Sequence, residues 1–272
     1  MRGSLGEKIG EGGYADVHAW APGKVVKLFK AGVPRRLSWW EARMTRAVFA
    51  AGGPALEVFD EVTLEGRFGM VLSRLDGPTL LQLTRSGAIT FGQAGAILAS
   101  VCLSVHKTPP PGDVLALRDS MDGSLLFSGG TIPKHIATGI LALIERLRPG
   151  DDGLCHGDLH PDNVIMTADG PRLIDWIGAV RAPAAFDLAI SHILLTELAP
   201  EVADDPERPR AVNAAVQSEY ARLAGMGPAA LTAAIESYLP IVRLRVLVGP
   251  AGSAALRERM IQRIEEALRS ED

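Results

Sequence analysis

The run His156-Gly157-Asp158-Leu159-His160-Pro161-Asp162-Asn163 cannot continue as a helix, because Gly157 and Pro161 interrupt any helical ladder within it. A loop is expected, and the residues after it fix its surroundings. Val164-Ile165-Met166 and Arg172-Leu173-Ile174 are strand-type segments, and Asp169-Gly170 between them signals a hairpin turn. Such a hairpin carries the chain back to its own start. Asn163 and Asp175, twelve positions apart, are therefore expected to lie close together.

A carboxylate, an amide and a second carboxylate in this arrangement match the needs of phosphoryl transfer from a nucleotide: one group to orient the attacking hydroxyl and two ligands for magnesium. Asp158, on a loop before a strand, is placed to accept a hydrogen bond from an acceptor hydroxyl and to take its proton late. Asn163 and Asp175 offer oxygen ligands for Mg2+. The alternative is a metal or polar cluster of His156, Asp158, His160 and Asp162, but a histidine pair at that spacing wants a helix.

The N-terminal part reads differently from the rest. Val25 to Phe29, Glu57 to Val62 and Phe68 to Leu72 carry strand residues, with a helix expected from Trp39 to Ala50. After Arg74-Leu75-Asp76-Gly77-Pro78 the pattern turns to helices, over Phe91 to Val105, Ile132 to Leu147, Ala211 to Leu223 and Ala254 to Leu268. The expectation is an α+β bilobal fold, with an antiparallel-sheet N-lobe over residues 1–75 and a larger, mostly helical C-lobe over 76–272. Pro109-Pro110-Pro111-Gly112 and Gly129-Gly130 bracket a stretch expected to be a surface loop.

Gly10, Gly12 and Gly13 lie in Gly10-Glu11-Gly12-Gly13-Tyr14-Ala15-Asp16-Val17, which reads as a hairpin whose glycines let backbone amides approach phosphates. Taken alone, an ordinary Gly-rich turn is the favoured reading. Lys27 alternates with Val26 and Leu28 and shares a sheet face with Val25 and Phe29, where an ammonium needs an anionic partner. Lys24 and Lys30, at the strand ends, are expected to be solvated. Glu41 has two readings: partner of Lys27 from the first turn of the next helix, or member of a capping box with Ser38.

Composition narrows the function classes. A chain of 272 residues, 47% hydrophobic, buries a substantial core, and 28 basic against 32 acidic residues argue against binding nucleic acid or an anionic membrane. Two cysteines without metal-site spacing, no apolar stretch of signal-peptide type and no run long enough to span a bilayer point to the cytoplasm. Oligomeric state is not legible.

With these motifs in place, the chain resembles the aminoglycoside phosphotransferase family, which includes choline kinases and has a protein-kinase-like fold. His156 to Asn163 is similar to that family's catalytic loop, and Ile174-Asp175-Trp176 to its metal-binding motif. The resemblance implies Asp158 as base, Asn163 and Asp175 as Mg2+ ligands, Lys27 on the phosphates with Glu41 as its partner, and ATP or GTP as donor. It further implies a hinge over Ser73 to Leu75 holding the base of the nucleotide, a glycine at Gly77, and Asp187 and His156 as supports of the loop. Ala15 departs from the third glycine of a protein kinase. Only twelve positions separate Asp175 from Asp187, which favours a small hydroxylated acceptor over a peptide. A polycationic acceptor would draw on Glu201, Asp204, Asp205, Glu207, Glu219 and Glu236, although such charges commonly face water. A choline-type cage would need aromatics closer in sequence than Trp176, Tyr220 and Tyr238. The competing readings are an atypical protein kinase and a nucleotide-binding pseudokinase.

Overall fold

The computed structural model describes residues 5–128, 130–147, 152–249 and 252–270. Five strands, β1 (Lys8–Glu11), β2 (Ala15–Ala21), β3 (Lys24–Phe29), β4 (Val58–Leu64) and β5 (Arg67–Ser73), form an antiparallel sheet in the order β1-β2-β3-β5-β4. One helix, α1 (Arg35–Ala50), lies in this part of the chain. Val25 and Phe29 pack with Met70, Leu72 and Ala42 in a compact core, so the face of β3 that carries Lys27 turns inward.

The remainder is mostly helical: α2 (Leu80–Arg85), α3 (Phe91–Lys107), α4 (Leu117–Phe127), α5 (Lys134–Arg146), α6 (Ala184–Ile193), α7 (Glu207–Ala224), α8 (Pro228–Val248) and α9 (Ala254–Arg269). Both α2 and α3 open on a capping box, Thr79 with Gln82 and Thr90 with Gln93, each satisfying two free amides. Helix α6 runs on into a π-helical turn over Leu194–Leu198. The α+β bilobal architecture expected from the sequence is observed. Among the described residues, no helix is long and apolar enough to cross a membrane.

Two short strand pairs carry the central motifs. β6 (Gly153–Cys155) pairs with β9 (Val180–Ala182), and β7 (Val164–Thr167) pairs with β8 (Gly170–Leu173). Val164 and Leu173 face each other in the second pair and are fully buried, which pins the hairpin to the helical core. The N–H of Ile174 then donates to the carbonyl of Asn163 at 3.0 Å, closing the base of the hairpin.

Two local expectations are corrected. The stretch from Pro109 to Gly130 is not all loop, because Leu117 and Met121, one turn apart, are buried and fold α4 against the core; Gly129 lies outside the described residues. Helix α1 begins at Arg35 after Pro34, four residues ahead of the expected start. Ser38 is consequently inside the helix and buried, no capping box forms there, and Glu41 sits in the second turn.

Candidate active site

Lys27 is the meeting point of the two lobes. Its Nζ lies 2.7 Å from Glu41 Oε1 and 2.9 Å from Asp175 Oδ1. Burial works against the ammonium, but the two carboxylates outweigh it and hold the Lys27 pKa above its ordinary value. Glu41 is buried, and its second oxygen, Oε2, has no hydrogen-bond partner. Burial pushes its carboxyl up to about 7, with Lys27 opposing the shift. Of the competing lysines, Lys24 stands over the Phe59 ring and Lys30 pairs with Glu11 at 3.0 Å, both away from this centre.

The loop from His156 to Asn163 is held from below by a buried carboxylate. Asp187, in the first turn of α6, accepts the N–H of His156 at 2.7 Å and of Gly157 at 2.8 Å. Burial would raise its pKa, yet the hydrogen bond and charge of His106 and the Gly157 amide keep it below the ordinary carboxylate range. His106 Nε2 is 3.4 Å from Asp187, and its Nδ1 is 2.7 Å from the Tyr220 hydroxyl, a relay from α7 through α3 to the loop. Cys102 lies beside them, with its ligating atom and those of His106 and Asp187 all within 4.8 Å of one another. Both Asp187 oxygens already accept loop amides, so the trio reads as support.

His156 is likewise a support. Its Nε2 lies 3.0 Å from the Ile174 carbonyl and its Nδ1 accepts the Asp158 amide at 3.3 Å, so both ring nitrogens are engaged. Its ring stands edge-on to Trp176, 4.6 Å between centroids. Gly157 has φ 79°, and a Cβ there would fall 1.9 Å from the Gly178 carbonyl oxygen. Arg245 of α8 closes this crossing, donating to the carbonyls of Gly157 at 3.4 Å and Gly178 at 3.2 Å.

Above this base stand the three residues expected to act together. Asn163 Nδ2 donates to the Asp158 carbonyl at 2.9 Å and lies 3.3 Å from Asp158 Oδ2, leaving its amide oxygen as the remaining function. Asp175 has a left-handed backbone, φ 70° and ψ 57°, an uncommon conformation for a residue with a side chain and a form of strain that concentrates at functional sites. His160 Nε2 is 3.7 Å from Asp158 Oδ2. Burial would raise the Asp158 pKa and lower that of His160, but their mutual attraction reverses both: Asp158 sits below its ordinary value and His160 above.

The glycine hairpin turns between β1 and β2, with the Gly12 N–H donating to the Ala15 carbonyl at 2.8 Å. Neither Gly12 nor Gly13 has a positive φ, and a Cβ at Gly13 would meet nothing within 4 Å. Folding does not require glycine there, so the open backbone is free for a ligand. Gly10 pairs with Val17 within the hairpin. Ser73 ends β5 and gives its N–H to the Glu57 carbonyl at 3.1 Å, while Leu75 packs against the N-terminal core. A Cβ on Gly77, at φ 152°, would fall 2.0 Å from the Met166 carbonyl oxygen, so the crossover runs tightly against β7.

Beside the loop opens a cavity of about 930 Å³, lined in part by His160, Pro161 and Asp162. Three of the acidic candidates, Glu201, Asp204 and Asp205, reach it. Glu207 and Glu219 instead pair with Arg210 and Arg222 within α7. Trp176, Tyr220 and Tyr238 are all buried in the core and form no cage. Arg245 and His106 carry no signal in the sequence, since their partners are remote and their surroundings are plain helix, and Tyr220 stands out there only as an aromatic, not as a partner of His106. Thr79, whose hydroxyl donates to Asp162 at 3.0 Å, could have been found through its capping box.

The profile of the phosphotransferase enzyme family matches residues 12–226. No curated protein matches the chain in sequence. An aminoglycoside-3'-phosphotransferase of type VIII is similar in fold, with 19% identity, a TM-score of 0.56, and coverage of 87% of this chain and 93% of that one. A choline kinase from Cryptosporidium parvum Iowa II has 15% identity and a TM-score of 0.59, covering 99% and 89%. An aminoglycoside phosphotransferase solved as a ternary complex with AMP-PNP and hygromycin B has 17% identity and a TM-score of 0.54, covering 92% and 95%.

Proposed function

The chain belongs to the phosphotransferase enzyme family, and from that premise we propose that it transfers the terminal phosphate of ATP or GTP to a hydroxyl of a small molecule, such as an aminoglycoside-like antibiotic or a metabolite. The observation that carries this reading is the bridge from Lys27 to both Glu41 and Asp175, with Asn163 and Asp158 directly alongside. In this reading residues 1–75 hold the nucleotide and residues 76–272 hold the loop and the acceptor.

Asp158 accepts the hydrogen bond of the acceptor hydroxyl and aligns its oxygen with the γ-phosphorus. The acceptor oxygen bonds to phosphorus, the bond to the β–γ bridging oxygen breaks, and nucleoside diphosphate leaves. The hydroxyl proton passes to Asp158. Lys27 attracts the phosphate oxygens from the sheet, and the amides of the Gly10 to Gly13 hairpin approach them from above. Ser73 to Leu75 is the proposed hinge for the base. Asn163 and Asp175 present hard oxygen donors brought together at the base of one hairpin, a set that suits magnesium, which when bound neutralises phosphate charge.

A protein substrate is disfavoured by the short path after Asp175. A 3-10 turn, β9 and the start of α6, joined by the single residues Ala179 and Pro183, fill the path to Asp187, leaving no span for a peptide-docking segment. A purely regulatory module would have no physical need for a base together with two metal ligands. The test is release of nucleoside diphosphate by the purified protein with Mg2+ and ATP or GTP across alcohols of several classes. Acceptor-dependent release supports the reading; nucleotide binding with no release for any acceptor favours the pseudokinase.

A further inference from the structure

The cavity beside the catalytic loop has a character of its own. One wall is the π-helical turn, with Leu194, Leu195 and Leu198 facing inward. Such turns recur at functional sites because they displace side chains from the regular helical face. The turn is also tied to its neighbours: Glu197, within it and largely covered, accepts from Arg243 at 2.8 Å and from Arg263 at 2.7 Å. Phe91 and Val212 complete an apolar wall, and Phe91 is the one Phe, Tyr or Trp among the described lining residues.

The charges around the cavity largely cancel. Glu201 is committed to Arg259 and to the amide and hydroxyl of Ser253. Asp205 is committed to Arg208 and to the Glu207 amide. What remains on the rim is Asp204 and, opposite in sign, Arg85, neither in an ion pair with any described residue, together with Asp162 near the loop. A polycation would find too few free carboxylates for its amines, and a quaternary ammonium would find no cage. Apolar surface is instead abundant, in a volume suited to a drug-sized molecule.

Resting on the phosphotransferase reading, we propose that the acceptor is a hydroxylated amphiphile, neutral or singly cationic. Its bulky apolar body packs on the Leu194 to Leu198 turn, and its hydroxyl end reaches past His160 to Asp158. His160 lines the cavity and its Nε2 lies 3.7 Å from Asp158 Oδ2, so one side chain separates the apolar wall from the base.

The test is equilibrium binding of methyl, hexyl and octyl glucoside to the full chain with and without Mg-AMP-PNP, with kanamycin as the polycationic comparison and nucleotide affinity measured in parallel. Affinity is expected to rise about fourfold for each methylene that enters the cavity, so octyl glucoside with only about three methylenes inside should bind about 60-fold tighter than methyl glucoside. Leu198→Asp should abolish that dependence while leaving nucleotide affinity unchanged. Val202→Asp, at an 82% exposed rim position that folding does not use, should weaken it. Equal affinity for methyl and octyl glucoside, or tighter binding of kanamycin than of octyl glucoside, overturns the proposal and leaves phosphotransfer untouched. A chain-length dependence without any nucleotide binding would keep the amphiphile cavity and remove the phosphotransferase reading beneath it.

Discussion

The Nζ of Lys27 lies 2.9 Å from Oδ1 of Asp175, joining the third strand of the sheet to the segment that leaves the C-terminal hairpin 148 positions later. Glu41 holds the same ammonium from the other side. Each lobe thus contributes a carboxylate to one cation, and the contact joins them at the proposed nucleotide site.

Replacing Lys27 by Met should lower turnover by about 100-fold or more, as removal of one preorganised cationic or hydrogen-bond donor does elsewhere. It should also strand Glu41, and breaking a buried pair costs on the order of 3–5 kcal/mol. Glu41 already sits at about 7 with its partner present, and losing the ammonium moves it higher. The stability loss should therefore be smaller at pH 6, where Glu41 is protonated, than at pH 8, as denaturant titrations at both values would reveal.

The Asp158 and His160 pair makes a pH prediction with a definite sign. Asp158 sits below 3.8, so its share of stability is present above that pH and is lost as pH falls through the folded value. His160 sits above 6.5, so its share is complete below 6.5 and is lost as pH rises through the folded value. His160→Gln should cost most between these limits, about 0.2–1 kcal/mol for a pair this exposed to solvent. It should also move the acid limb of the kcat/KM profile to higher pH, because Asp158 loses the cation that lowers its pKa. An acid limb that stays in place would separate His160 from the base.

Two glycines should behave in opposite ways. Gly157→Ala forces a Cβ into the Gly178 carbonyl at a left-handed φ and should destabilise the protein by about 3 kcal/mol or more. Gly13→Ala meets nothing and should change stability by less than about 0.5 kcal/mol. Its effect should appear instead as weaker nucleotide binding, read by isothermal titration.

Asp187→Asn removes the charge that takes up two loop amides. A loss of about 3 kcal/mol is expected from weakening these charge-assisted bonds in a buried site. Tyr220→Phe acts further out on the same relay. It should lower kcat with little change in the KM for nucleotide if the relay positions the loop, whereas a purely packing role would lower the melting temperature alone.

Much of this architecture was legible because a few residues leave the chain little choice. Gly157 and Pro161 exclude a helix, Asp169-Gly170 demands a turn, and Val164 opposite Leu173 seats the hairpin. The alternation around Lys27 placed its side chain inside the lobe. Glu41 was the harder case, since Ser38 and Glu41 have the spacing of a cap, and only the packing of Leu37 and Ala42 against the sheet shows that the helix has already begun. Helix α4 was hidden because its signal is just Leu117 and Met121 between breaker-rich flanks. Arg245 was not legible at all: it reaches a carbonyl 88 positions away from a helix whose sequence carries no motif.

The most direct test compares wild-type protein with Asp158→Asn in single-turnover phosphate transfer to an acceptor, with nucleotide affinity measured on both. The account predicts nucleotide affinity unchanged within about twofold and transfer slowed by about 10² to 10⁴-fold, the range that loss of a positioned general base gives. Transfer at the wild-type rate in Asp158→Asn would contradict it.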